Sequence, residues 1–101
     1  MENLNSEQVK KLKNQGKKLL VDYYAKWCGP CKSLIPRLEL IEKEYDYVTF
    51  VKVDVDENKD SLIELSINSV PTVMIYDGNT LVERLIGANP DYMYKDILNK
   101  L

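Results

Sequence analysis

The chain has 101 residues, which fits one compact domain and little else, so residues 1–101 are read as a single unit. Hydrophobic residues make up 45% and charged residues 30%, and a net charge of −2 favours neither nucleic acid nor an anionic membrane as partner. No apolar run approaches the roughly 20 residues that span a bilayer, and "MENLNSEQ" lacks the basic-then-apolar layout of a signal peptide, which points to a reducing, cytoplasmic compartment.

From the N-terminus, Asn5 reads as an N-cap, with Gln8 three residues on and Val9 placed to pack back on Leu4. That is a capping box with a hydrophobic staple. Val9 and Leu12 give this helix a narrow apolar face, and "NQG" at 14–16 ends it. "KKLLVDYYA" follows, a nearly continuous apolar run of the kind needed by a strand covered on both faces. After "WCGPC" (27–31) the period changes. Cys31, Leu34, Leu38, Ile41 and Tyr45 recur at steps of three and four, the stripe of an amphipathic helix. "TFVKVDV" (49–55) is the next strand, and strand, helix, strand makes a βαβ unit with parallel pairing and a right-handed crossover. "DSLIELS" (60–66) is a short helix. "PTVMIY" (71–76) and "LVERLI" (81–86) are strands joined through "DGNT", a hairpin turn signal. Asn89 as N-cap and Pro90 at the first helical position open a last helix that runs to the C-terminus. The fold class is a small α/β sandwich, parallel at its centre with an antiparallel hairpin at one side.

Both cysteines of the chain sit in "WCGPC", where the first long strand gives way to the long helix. Side chains one helical turn apart have β-carbons about 5–6 Å apart. A disulfide needs about 3.5–4.5 Å, so a small local adjustment makes or breaks the bond. A bridge between such near neighbours closes too short a loop to serve as a staple. The two thiols are not equivalent. Cys31 continues the buried stripe, whereas Cys28 precedes it at an exposed tip, where the free N–H groups of a helix start favour a thiolate. Pro30 fits that first turn, where its missing N–H costs little. Exposed Cys28 is therefore read as the attacking thiol and buried Cys31 as the resolving one. Two other readings stand beside this one. Half of a zinc site would have to be completed by carboxylates, since the chain has no histidine and no third cysteine. A pair of inert core thiols is the other, and the tip position of Cys28 speaks against it.

In "LLVDYYAKWCGPCKSLIP" and "NSVPTVMIYDGNTLVERLIGA" the chain resembles the thioredoxin family, from about Lys18 to the end. The resemblance implies a three-layer α/β/α sandwich around a four-stranded mixed sheet. The family's usual first strand would be short or missing, because "MENLN" is too short and polar for an ordinary strand. It also implies a redox-active Cys28–Cys31 pair that exchanges with substrate disulfides, in a protein disulfide reductase serving cell redox homeostasis. Such a protein is expected to be a monomer, to hold no cofactor or metal, and to be recharged by a separate thioredoxin reductase drawing on NADPH. The chain carries no Gly-rich nucleotide fingerprint of its own. One rival is a disulfide oxidant or isomerase on the same fold, which Gly-Pro between the thiols and the absence of histidine argue against. Another is an accessory subunit of a larger assembly, which the sequence leaves open.

Further residues gain roles from the same resemblance. Asp22 interrupts an apolar strand, where a carboxylate has a raised pKa, and the resemblance makes it a proton shuttle for Cys31. A water-facing edge position is the plainer reading. Lys52 on the neighbouring strand is expected to bias Asp22 toward its charged form, the alternative being a snorkelling surface lysine. Pro36 removes an N–H inside the long helix and frees the carbonyl of Lys32, a structural feature. The bond before Pro71 is expected to be trans from sequence alone. The resemblance makes it cis and sets it beside the dithiol, with the backbone of Val70 available to an extended substrate segment. Trp27, Gly29, Pro30, Val70, Gly87 and Ala88 are expected to form a flat, mostly apolar surface for protein disulfide substrates, with Gly87 where a side chain would obstruct docking. The basic cluster Lys10, Lys11, Lys13, Lys17 and Lys18 and the acidic cluster Asp54, Asp56, Glu57, Asp60 and Glu64 read as solvated faces. Tyr24 and Ser69 depart from residues common in the family and could retune partner choice.

Overall fold

A computed structural model describes residues 1–101. Its elements are β1 (Glu2–Asn3), α1 (Ser6–Asn14), β2 (Lys18–Tyr24), α2 (Gly29–Glu42), β3 (Thr49–Asp54), α3 (Lys59–Glu64), β4 (Thr72–Asp77), β5 (Thr80–Ile86) and α4 (Asp91–Leu98). The strand order β1-β3-β2-β4-β5 puts β2 at the centre. It pairs in parallel with β3, from Leu19↔Thr49 to Tyr24↔Asp54, and antiparallel with β4, from Lys18↔Asp77 to Tyr23↔Thr72. A central strand covered on both faces has to be apolar on both, and every residue from Leu19 to Tyr24 is buried, Asp22 included.

Alternation along β2 divides the core in two. Leu19, Val21 and Tyr23 pack with Val9 of α1, Val51, Val53 and Met74, with Leu62 and Leu65 at the margin. Leu20 joins Leu34, Leu38 and Ile41 of α2, Phe50, Val73 and Ile75, and Tyr94 and Leu98 of α4. The result is α1 and α3 on one face of the sheet and α2 and α4 on the other, the three-layer sandwich expected. Each fully buried leucine in these clusters contributes about 1.5–3 kcal/mol.

The sheet has five strands, and the first is the stub anticipated. Glu2 and Asn3 pair with Val51 and Lys52, and the Leu4 N–H donates to the Lys52 carbonyl at 2.9 Å. The capping box is present in full: the Gln8 N–H donates to Asn5 Oδ1 and the Asn5 N–H to Gln8 Oε1, both at 2.9 Å. The last helix departs from expectation by one residue, with Pro90 rather than Asn89 at its N-cap. Asn89 is committed elsewhere. Its side-chain amide donates to the carbonyls of Ile86 and Gly87, and its N–H donates to the Tyr94 hydroxyl. The Arg37 guanidinium of α2 donates to the Asn89 carbonyl and the Asp91 carboxylate, which pins the start of α4. That helix ends at Leu98, short of the C-terminus. No helix is long and apolar enough to cross a membrane.

Candidate active site

Cys28 is the N-cap of α2, with extended backbone (φ −86°, ψ 115°), and Pro30 lies in the first turn that follows. Cys28 and Cys31 are joined by a disulfide, with α-carbons 5.3 Å apart. The Cys31 N–H points at Cys28 Sγ from 3.2 Å. This is one of the orphan donors of a helix start, turned on a sulfur instead of a side-chain oxygen. The same donor and the helix dipole favour negative charge on that sulfur once the bond is opened, and no acidic residue in the first turn of α2 opposes them. The expectation of an exposed Cys28 needs correction. Cys28 is only 5% exposed, and Cys31 is not exposed at all. Two things cover Cys28: its sulfur is tied inward to Cys31, and the Val70 carbonyl sits 3.7 Å from Sγ. The asymmetry between the thiols persists as a sliver of access against none.

Asp22 lies two residues before the end of β2, level with Lys52 on β3 and Val73 on β4. By alternation it shares the face of Leu20, the one roofed by α2. It is completely buried, and neither carboxylate oxygen has a hydrogen-bond partner. The water-facing alternative is thereby removed. Burial pushes its pKa up from 3.8 to about 7, outweighing the charge of Lys52, which pulls the other way. Lys52 is half-buried and forms no ion pair with Asp22. Its ammonium sits over the ring of Tyr24, 5.5 Å from the centroid. A carboxyl group in this state gains or loses a proton near neutral pH.

Around the disulfide, Trp27 is 71% exposed. Gly29, Pro30 and Ala88 are also exposed, Val70 and Gly87 half-buried, and Pro71 buried. The Val70–Pro71 peptide bond is cis, as the resemblance and not the bare sequence implied. Gly87 donates its N–H to the Pro71 carbonyl at 2.8 Å and has φ +84°, so glycine is required there by the backbone itself. Val70 thus meets Cys28 through its carbonyl, and Pro71 meets Gly87. Beside them opens a groove of about 200 Å³ lined by Trp27, Val55, Leu62, Ile67 and Val70, with Asp56 at its rim.

Sequence reading missed the fixings of this surface. The Trp27 Nε1–H donates to Asp56 at 2.8 Å, and Lys26 pairs with Glu57 at 3.4 Å and with Asp54 at 3.8 Å. Asp54 does not belong to a solvated face, since it is 2% exposed and accepts the Asp56 N–H at 3.0 Å. No local pattern announces a contact that spans 29 positions, as the one from Trp27 does. The basic cluster is closer to its plain reading. Lys10 pairs with Glu64 at the surface, while Lys13 lies over the Tyr76 ring.

The thioredoxin family model matches residues 2–100. Thioredoxin-1 of Schizosaccharomyces pombe is 36% identical over 86 residues, which are 85% of this chain and 84% of that protein. Thioredoxin-T of Drosophila melanogaster is 42% identical over 82 residues, 80% of this chain, though the chain spans only about half (52%) of that protein. The crystal structure of oxidized mitochondrial Thioredoxin 3 from Saccharomyces cerevisiae superposes with a TM-score of 0.88 at 38% identity, covering 100% of this chain and 95% of that one. A likeness this long in both sequence and fold, reached in a chain whose two cysteines are bonded to each other, settles the matter: the chain belongs to the thioredoxin family of oxidoreductases that act on protein disulfides.

Proposed function

We propose that the protein works in the reducing direction, in the cytoplasm, as a monomeric dithiol reductase of protein disulfides. The supporting observation is that Cys28 caps α2 beside Val70 while Cys31 is sealed beneath it. Cys28, as the thiolate, attacks one sulfur of a substrate disulfide; the substrate's other sulfur leaves and a mixed disulfide forms. Cys31 gives its proton to Asp22 and attacks Cys28 Sγ. The second substrate sulfur then leaves, and the pair of electrons has passed from the protein dithiol to the substrate. Lys52 tunes the charge of Asp22 across the strand pair. Trp27, Gly29, Pro30, Pro71, Gly87 and Ala88 form the surface on which the substrate segment docks, with the Val70 backbone alongside it. The oxidised pair is recharged by a separate thioredoxin reductase that draws on NADPH, so this chain needs neither cofactor nor metal.

A trapping experiment tests the roles. Cys31→Ser should hold a protein substrate as a mixed disulfide, seen as a mass increase that dithiothreitol reverses, and Cys28→Ser should trap nothing. The opposite pattern would exchange the two assignments. Direction is tested by the reduction potential of the pair, measured in thiol buffers of graded ratio, where 30 mV is about 1.4 kcal/mol. A value well below the glutathione couple supports the reductase, and one well above it would make the protein an oxidant.

A further inference from the structure

The segment between β2 and α2 is held from the side by contacts that the exchange chemistry itself does not require. Lys26 bridges Glu57 and Asp54, and Trp27 donates to Asp56. Asp54 is the last residue of β3, and Asp56 and Glu57 lie in the turn that follows it. Asp54 is the buried member, and a buried carboxylate needs donors or a cation. It has the Asp56 N–H at 3.0 Å, and Lys26 is the one cation paired with it.

We propose that Lys26 is a positioning residue for disulfide exchange: it neutralises part of the three-carboxylate cluster at the end of β3, against which Trp27 is bonded, and, with the Trp27–Asp56 bond, fixes the segment that delivers the nucleophile. The inference rests on the reading of Cys28 as the attacking thiol. Asp54, Asp56 and Glu57 carry three negative charges, which Lys26 reduces to two. Without it, the uncompensated cluster disfavours a thiolate at Cys28, two residues along the chain from Lys26. The other charged side chains of the elements around the dithiol are Lys18 and Asp22 on β2, Lys52 on β3, and Lys32, Arg37, Glu39 and Glu42 on α2. Of these, Arg37 is paired with Asp91 and the two glutamates with the N-terminal ammonium. The segments 69–72 and 87–90 carry no titratable side chain. Lys52 is engaged over Tyr24, and Lys32 has no ion pair with the turn, so neither substitutes for Lys26. The Lys26 side chain is 71% exposed, which makes its effect modest and open to screening by salt.

The test follows thiolate formation at Cys28 by ultraviolet absorbance in the reduced protein, across pH, in dilute buffer. Lys26→Gln should raise the midpoint by on the order of half a pH unit and slow exchange with a small disulfide below it. Lys26→Arg should restore both, Lys26→Glu should widen the shift, and about 1 M salt should abolish it. A Lys26→Gln curve that superposes on the wild type at low salt overturns the proposal. So does a shift that neither arginine nor salt removes, since that would be a change of structure and not of charge. Failure of the underlying reading is visible separately: the wild type itself would then show no thiolate step assignable to Cys28.

Discussion

Asp22 holds a carboxyl group with no hydrogen-bond partner, and the consequences of that run in opposite directions for stability and chemistry. Its pKa is raised by burial from 3.8 to about 7, so the folded chain favours the protonated form and the unfolded chain the ionised one. The stabilisation is fully present below the unfolded value and is lost as pH climbs through the folded one. Its full span is about 4 kcal/mol. Asp22→Asn should therefore raise the urea midpoint near pH 8 and match the wild type near pH 4. Equal gains at both would mean that a buried charge is not the cause. The same substitution removes the proposed proton acceptor, so release of a mixed disulfide should slow on the order of 10²-fold in a stopped-flow assay. Gly87 is a simpler case. A methyl group there would meet no atom of the chain within 4 Å, so the effect of Gly87→Ala on stability is purely conformational. It should lower stability by about 1–2 kcal/mol, measured by denaturant unfolding.

At the scale of elements, the two helix starts use one device for different ends. The Asn5 side chain satisfies the Gln8 N–H at the head of α1, a purely structural bond. Asn5→Ala should cost about 1 kcal/mol and speed hydrogen exchange at the amide of Gln8. At the head of α2 the acceptor is a reactive sulfur, so the cap and the chemistry share an atom. Both starts were readable in the sequence, because a cap and its partner lie within one turn. The stripe from Cys31 to Ile41 was readable for the same reason. What escaped was anything settled by a distant neighbour: the burial of Asp54, the bond from Trp27 to Asp56, and the one-residue shift of α4 caused by the prior engagements of Asn89. The cover over Cys28 escaped too, since the Val70 carbonyl arrives from 42 positions away.

For the molecule as a whole, stability lies in the two apolar layers, and function at the one edge where strands end and α2 begins. Leu38, fully enclosed between β2, α2 and α4, is remote from that edge in role. Leu38→Ala should cost about 2–5 kcal/mol in thermal or urea unfolding while leaving the reduction potential where it was. A potential that moved with it would show the two regions to be coupled. The sandwich itself was legible because β2 is apolar on both faces, a pattern that few arrangements other than a covered central strand accommodate. Strand β1 was barely legible, since two exposed polar residues have no period. Yet it occupies the outer side of β3 at Val51 and Lys52. A chain trimmed of residues 1–4 would leave that backbone open to a strand from another molecule. Its first failure would be collective, self-association that grows with concentration while each copy still keeps its helices.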